Sequence, residues 1–384
     1  MKILILHNQY LIGGGEDVST QAEVEMLRRH GHTVDLLLLN NNTIEHSAKW
    51  RVALEAVWSS KAYRTVLQRV RTEKYDIVHV QNFFPLLSPS IFFAAKKGGA
   101  KVFLSLRNYR LMCPNAQLFT HDAICRRCIG KTIPLPGVTH KCYRDSFAAS
   151  MVVTTMLSVH NLLRTWQKKI DGFICISEFV KKQMIIAGMP ESKLFRKYNF
   201  IFEDPGYNEN PADNFIYVGR LSPEKGIGLL LKAFSSPELA GRSLVIIGDG
   251  PLRSAVEAAA AQYPNIRYLG ALDLQTTSRH MGQAFYLLFP SRWHEPFGRT
   301  IAEAFACGTP VIAADAGAAS ELITVDYNGL LFVRDDLASL IQKIKQACQD
   351  EGYLQKRRNA RQSYLQRFTM ELNYTQLLDI YQAV

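Results

Sequence analysis

Residues 289–315 read FPSRWHEPFGRTIAEAFACGTPVIAAD, and the rest of the chain takes its meaning from them. The apolar run Tyr286 to Phe289 stops at Pro290, a polar loop carries His294 and Glu295, and Gly298 opens an alanine-rich helix that Gly308 ends. This order puts the first helical amides, around Gly298, Arg299 and Thr300, at the positive end of a helix that offers them no acceptor. Such an end binds anions, phosphate above all. Glu295 lies before it, and Glu303 lies a turn or more inside at about 1.5 Å of rise per residue, so the two carboxylates flank whatever the amides hold. Carboxylates repel phosphate, and their task beside one is to accept hydrogen bonds from hydroxyls. Hydroxyls on both sides of a diphosphate describe a nucleotide sugar.

Alternating strands and helices on either side of this stretch predict an α/β chain of two Rossmann-like halves. In the second half, Phe215 to Val218 is followed by GRLSPEKGI, whose Arg220 and Lys225 sit where cations neutralise a diphosphate. Leu244 to Ile247 then leads into Gly248-Asp249-Gly250-Pro251, which lacks the third small residue and the acid of a dinucleotide fingerprint. In the first half, the strand Lys2 to Leu6 runs into Gly13-Gly14-Gly15, with a helix expected from Asp17 to His30 and a strand from Thr33 to Leu39. The strands Tyr75 to Gln81 and Lys101 to Leu106 end in Asn82 and in RNYRLMCPNAQLF, on the carboxyl edge where open α/β sheets bind ligands. Ser150 to Ile170 reads as a helix buried in its domain, and the proline-containing segment 199–214 reads as a linker. The domains expected are therefore 1–200 and 214–367, with a last amphipathic helix in 368–384.

A chain of 384 residues suits two such domains, and 47% hydrophobic with 21% charged residues describes a globular protein. No apolar run reaches about 18 residues, and MKILILHNQY reads as a first strand and not a signal peptide, so a cytoplasmic protein is expected. Through residue 198 there are 28 Lys and Arg against 14 Asp and Glu; thereafter there are 17 against 20. The basic first half fits a phosphate-bearing partner or an anionic membrane face, and equally an ordinary solvated surface. A nucleic-acid binder would interleave that charge with stacking aromatics in a recognisable module, which is missing.

Cys113, Cys125, Cys128 and Cys142 form a C-x11-C-x2-C-x13-C cluster with His121 and His140 nearby. Four soft ligands can hold a structural zinc. A redox pair, disulfides and a packed loop compete with that reading, disulfides being disfavoured in a cytosol.

The spacing Glu295-x7-Glu303 around Phe297-Gly298, followed by ACGTPVIA, closely resembles the signature of the family 4 retaining glycosyltransferases. The resemblance implies the GT-B architecture, two Rossmann-like domains facing across a cleft with the last helix crossing back to the first. It implies that Glu295 contacts the donor sugar and Glu303 the ribose of a UDP- or GDP-sugar. Arg220 and Lys225 would bind its diphosphate beside Phe297, Gly298, Arg299 and Thr300, Gly248 and Gly250 would line the same site, and the base would lie near Leu269 and Gly270. Gly14 and Gly15 match a glycine pair that faces the cleft. Arg107 stands where many members have a histidine near the donor sugar, which puts transfer of a catalytic histidine in doubt and makes Arg107 the candidate in its place. Asn108, Tyr109 and Arg110, with Asn82, match a subgroup that assembles bacterial exopolysaccharide and O-antigen, implying a lipid-diphosphate-linked saccharide acceptor at the inner membrane face. No metal cofactor is expected for catalysis. A nucleotide-sugar epimerase or a phosphorylase of the same architecture is the nearest rival.

Overall fold

The computed structural model describes residues 1–9, 14–41, 49–207 and 211–384. Gly13 of the glycine triplet and residues 208–210 of the expected linker lie outside the described residues. The chain divides into two compact units: Met1–Thr120 and Cys125–Asn199 with Asn373–Val384, and Phe200–Leu372 with the short segment His121–Ile124.

The first unit is built on six parallel strands, β1 (Lys2–Gln9), β2 (Thr33–Asn40), β3 (Ile77–Asn82), β4 (Lys101–Leu106), β5 (Gly172–Cys175) and β6 (Leu194–Arg196), in the order β2-β1-β3-β4-β5-β6. A parallel sheet carries helices on its faces, and its central strands accordingly hold buried apolar runs, Ile3 to Leu6 and Val102 to Leu104. The second unit repeats the plan with β7 (Asn214–Val218), β8 (Ser243–Ile247), β9 (Ile266–Tyr268), β10 (Tyr286–Phe289), β11 (Val311–Ala314) and β12 (Gly329–Phe332). Their order, β9-β8-β7-β10-β11-β12, reverses direction between β7 and β10, the switch point at which such sheets bind ligands. The strands β6 and β9, three residues each, are too short to carry a periodic signal and were not expected.

Three expectations need correction. The helix expected over Ser150 to Ile170 is two, Phe147–Leu162 and Thr165–Lys169, broken by Arg164 in the left-handed region at φ 53°. The break lets the Trp166 indole donate to Asn161 Oδ1 at 2.7 Å and seats the ring in the core, while Leu162 and Leu163 are left exposed. The expected linker is ordered on the second unit up to the undescribed residues: Ile201 N donates to Phe368 O at 3.0 Å, and the Asp204 carboxylate is clasped by both Arg361 Nη atoms at 2.5 and 2.7 Å. The first helix begins at Gly15 and not at Asp17, with Gly14 as its cap and Gly14 N donating to Asp17 Oδ2.

The last helix, Met370–Gln382, joins the first unit from Asn373 onward, burying Asn373, Leu377, Ile380 and Tyr381. What holds it is polar. Glu23, on the first helix (Gly15–Arg29), is 1% exposed, and its carboxylate accepts from Lys197 Nζ at 2.9 Å and Gln81 Nε2 at 2.6 Å, with His79 at 3.2 Å and Arg107 at 3.8 Å. Lys197 also donates to Asn373 Oδ1 at 2.7 Å, and the Tyr381 hydroxyl lies 2.7 Å from His79 Nδ1. Burial works to raise the Glu23 carboxyl, but Lys197, His79 and Arg107 together outweigh it and hold it at about 2. Burial lowers His79 to about 4 against the pull of Glu23.

Glu23→Gln, which strands the Lys197 and Arg107 charges, is expected to cost about 3–5 kcal/mol of stability in thermal or denaturant unfolding. Both lowered groups act in the same sense with pH. His79 stays neutral in the folded chain while the unfolded chain takes a proton below 6.5, so stability falls as pH drops from 6.5 towards 4. Glu23 extends the loss from 4.5 towards 2, a slope that melting temperatures across this range will read.

Candidate functional site

The carboxyl ends of β7 and β10 carry the expected donor site. Past β10, Ser291, Trp293 and Glu295 fold back so that three donors converge on one carboxylate oxygen: Ser291 Oγ at 2.9 Å, Trp293 Nε1 at 3.0 Å and the Lys225 ammonium all reach Glu295 Oε1. No hydrogen bond reaches Oε2 among the described residues. Glu295 is 6% exposed, so the site holds a desolvated carboxylate with one oxygen tied down and the other uncommitted. Lys225 also stands 5.8 Å from the centre of the Trp293 ring.

Close backbone packing fixes the loop that carries Glu295. Gly317, at φ 62°, approaches so closely that a Cβ there would sit 2.7 Å from Glu295 N, and Ala318 N donates to Glu295 O at 3.0 Å. On β7's side, Gly219 N donates to Ile247 O and Leu221 N to Asp249 O, binding the GRLSPEKG loop to the glycine turn after β8. Gly248, at φ 144°, would drive a Cβ to 1.9 Å from Gly219 O, so the glycine there is required by the chain's own packing. Gly250 lies in the same turn against Leu221. Leu269 and Gly270 close the neighbouring edge, Gly270 O accepting from Gly248 N at 2.8 Å.

The helix expected to receive an anion runs Arg299–Ala306, with Gly298, which has no side chain to bond the first amides, as its cap at φ 88°. Thr300 lies in its first turn, and Phe297 is buried just ahead of it, edge-on to Phe368. Arg299 Nε donates to Glu303 Oε1 at 2.7 Å, and Arg220 Nη2 to Glu224 Oε1 at 3.0 Å. All three cations read from the sequence are thus paired with carboxylates: Lys225 with Glu295, Arg299 with Glu303 and Arg220 with Glu224. Ser291, Trp293, Glu224 and Gly317 were not singled out from sequence. The donors Ser291 and Trp293 stand in the same short loop as Glu295, and Arg220 and Glu224 are four residues apart; both were legible as spacing.

In the first unit the expected acceptor residues are more occupied. Asn82 uses both ends of its amide to hold the strand end, Nδ2 donating to Asn8 O at 2.7 Å and Oδ1 accepting from Phe84 N at 3.1 Å. Asn108 Oδ1 accepts from Arg110 N. Tyr109, expected at the acceptor, is fully buried. Arg110 bonds Pro114 O with its guanidinium over the Phe84 and Tyr143 rings at 4.7 and 5.1 Å, and so staples its own loop. Arg107 is spent likewise: Nε donates to Gln81 Oε1 at 2.9 Å and Nη1 to Asn199 Oδ1 at 2.6 Å, beside Glu23. Its guanidinium lies inside the buried network around Glu23. Gly14 and Gly15 are exposed at the start of the first helix.

All seven cysteines are free thiols, and among the described residues no three His, Cys, Asp or Glu side chains stand in coordinating geometry. No helix among them is long and apolar enough to cross a membrane. A concavity of the second unit, lined by Glu238, Leu337, Ile341 and Lys345, shares no residue with the site around Glu295.

Known proteins resemble this chain in both sequence and fold. Residues 200–366 match the family described as Glycosyl transferases group 1. An uncharacterized glycosyltransferase of Methanocaldococcus jannaschii is 29% identical over 183 residues, 47% of this chain and 50% of that one. A protein of the cps region of Klebsiella pneumoniae is 23% identical over 364 residues, 86% of this chain and 88% of its own. Several curated relatives are matched over only about half their length. The crystal structure of Anabaena Alr3699/HepE in complex with UDP superposes with a TM-score of 0.70 at 19% identity, covering 100% of both chains. The second unit therefore carries the sequence pattern of the group 1 glycosyl transferases, on a fold shared from end to end with a solved protein.

Proposed function

We propose that the protein is a retaining, metal-independent glycosyltransferase that moves a hexosyl group from a nucleotide-diphosphate sugar to a saccharide acceptor. The observation that carries this reading is the buried Glu295 carboxylate, fixed through one oxygen by Ser291, Trp293 and Lys225 beside an uncapped helix start. The diphosphate takes the first amides of Arg299–Ala306 together with Lys225, Arg220 and Arg299, while Glu295 receives sugar hydroxyls and Glu303 the ribose. As the glycosidic bond stretches, negative charge grows on the leaving diphosphate, and fixed cations and amides aimed at it stabilise the transition state more than the ground state. Glu295 positions the donor and does not attack it. Retention follows from front-face attack, a donor phosphate oxygen taking the acceptor's proton. That the solved relative was crystallised with UDP supports a uridine donor over a guanosine one.

The acceptor is read as lipid-diphosphate-linked and destined for a cell-surface polysaccharide, with the first unit resting on an anionic membrane face. One surface observation supports this. The helices Lys49–Val57 and Phe147–Leu162 pack together, His160 Nε2 lying 3.0 Å from Val57 O, and expose Trp50, Leu54, Phe147, Met151 and Leu162 beside Arg51, Arg164 and Lys168. Large apolar side chains with cations around them are what an interface between water and anionic lipid takes up.

A panel of UDP-, GDP- and ADP-sugars at 100 times their dissociation constants adds about 2.7 kcal/mol when bound. UDP-sugars are expected to raise the melting temperature, and Glu303→Ala to remove the rise; no response to any of them would overturn the donor site. Lys225→Ala and Glu295→Ala are each expected to lower transfer by at least about 10²-fold with the fold intact. Leu54→Asp with Phe147→Asp is expected to lower flotation with vesicles containing anionic lipid while leaving nucleotide binding unchanged.

A further inference from the structure

The donor site leaves the cysteine cluster of the first unit without a task. Cys113, Cys125, Cys128 and Cys142 are spread over 30 residues, yet all four line one small cavity, together with Asn115, Leu118, Arg127 and His140. Backbone hydrogen bonds bring them there: Cys113 N donates to Tyr109 O, Cys125 N to Leu118 O and Cys142 N to Gly137 O, each within 2.9 Å.

Turn hydrogen bonds and the Arg110 staple hold this segment, with little regular structure. Its regular structure amounts to the turn of helix Pro136–Thr139 and strand pieces of two residues each. Ala116, Leu118, Lys141, Arg144 and Asp145 all adopt left-handed backbone, which costs each non-glycine residue about 1–2 kcal/mol. A segment this irregular needs a cross-link, and no disulfide supplies one.

We propose that Cys113, Cys125, Cys128 and Cys142 bind one zinc ion, a structural site that pins the loop following β4. Cys113 Sγ now donates to Asn115 Oδ1 at 2.9 Å and Cys128 Sγ to Pro134 O at 3.8 Å, so both sulfurs turn from these contacts into the cavity they line. On binding, four S–H bonds ionise, four Zn–S bonds form at about 2.3 Å, and four protons leave to solvent. The tetrathiolate complex carries two net negative charges, and Arg127 on the cavity wall, with Arg126, Lys131 and Lys141 on the same loop, offsets them. Four ligands close the coordination shell, so the ion organises the fold and takes no substrate.

Elemental analysis of the chain purified without chelator is expected to give one zinc per chain. Cys128→Ser should lose it and lower the melting temperature, whereas Cys348→Ser, outside the cluster, should keep it. If Cys128→Ser does not fold, cobalt substitution of the wild type reads the same site through thiolate-to-metal absorption. Zinc-free protein whose four cysteines titrate as free thiols, a disulfide among them on non-reducing mass mapping, or zinc retained in Cys128→Ser would each overturn the proposal.

Discussion

A carboxylate removed from water must be given back its hydrogen bonds and countercharge, and Glu23 imposes that demand on the whole first unit. Its partners come from β3, from the end of β4, from the chain after β6 and, through Lys197 and Asn373, from the last helix. Apolar contact alone would accept that helix in several registers. A buried charge with directed partners accepts one, because a shift of a residue leaves Lys197 or His79 unsatisfied. The C-terminal dozen residues thus belong to the first unit through a polar lock, and acid weakens that lock before it weakens the apolar sheet.

The second unit treats charge in the opposite way. Arg220, Lys225 and Arg299 sit at strand ends and a helix start, half-buried or exposed, each holding a carboxylate that a ligand can replace. Of the three cations only Arg220 is largely exposed, and a pair of that kind contributes little to stability, so exchanging its carboxylate for a phosphate oxygen costs little. Glu295 is the exception in its burial, and two uncharged donors, Ser291 and Trp293, stay with it when a cation leaves, where Glu224 keeps one, the Ser222 hydroxyl.

The α/β class, the glycine turns and the Glu295 to Glu303 stretch were legible because each rests on local pattern: apolar runs, breakers and fixed spacing. What was not legible depends on distance in the chain. Glu23 falls between Ala22 and Val24 on the first helix, where the apolar Val18 is exposed and Glu23 buried, since its partners lie at residues 79, 107 and 197. Arg107's partners were hidden for the same reason: a motif places a residue at a strand end but does not say that Gln81 and Asn199 will take its guanidinium. The break at Arg164 could be read only from Trp166 needing a partner for its indole N–H, which Asn161 supplies.

These two uses of charge explain how the proposed donor site can exist before a donor arrives. Three cations aimed at bare solvent would repel one another; paired, they hold their positions. In the proposed reading a diphosphate takes Lys225 and Arg299 from Glu295 and Glu303, and this frees both carboxylates for the hydroxyls on either side of it. Ser291 and Trp293 keep Glu295 Oε1 in place through that exchange, so Oε2 meets the sugar from a fixed position. A free nucleotide would release Glu295 from Lys225 without offering it a sugar hydroxyl, and would leave a desolvated carboxylate with neutral donors alone. The complete donor is therefore the ligand that satisfies every group the exchange uncovers, and selectivity for it over its own leaving group follows from the cost of an unpaired buried charge.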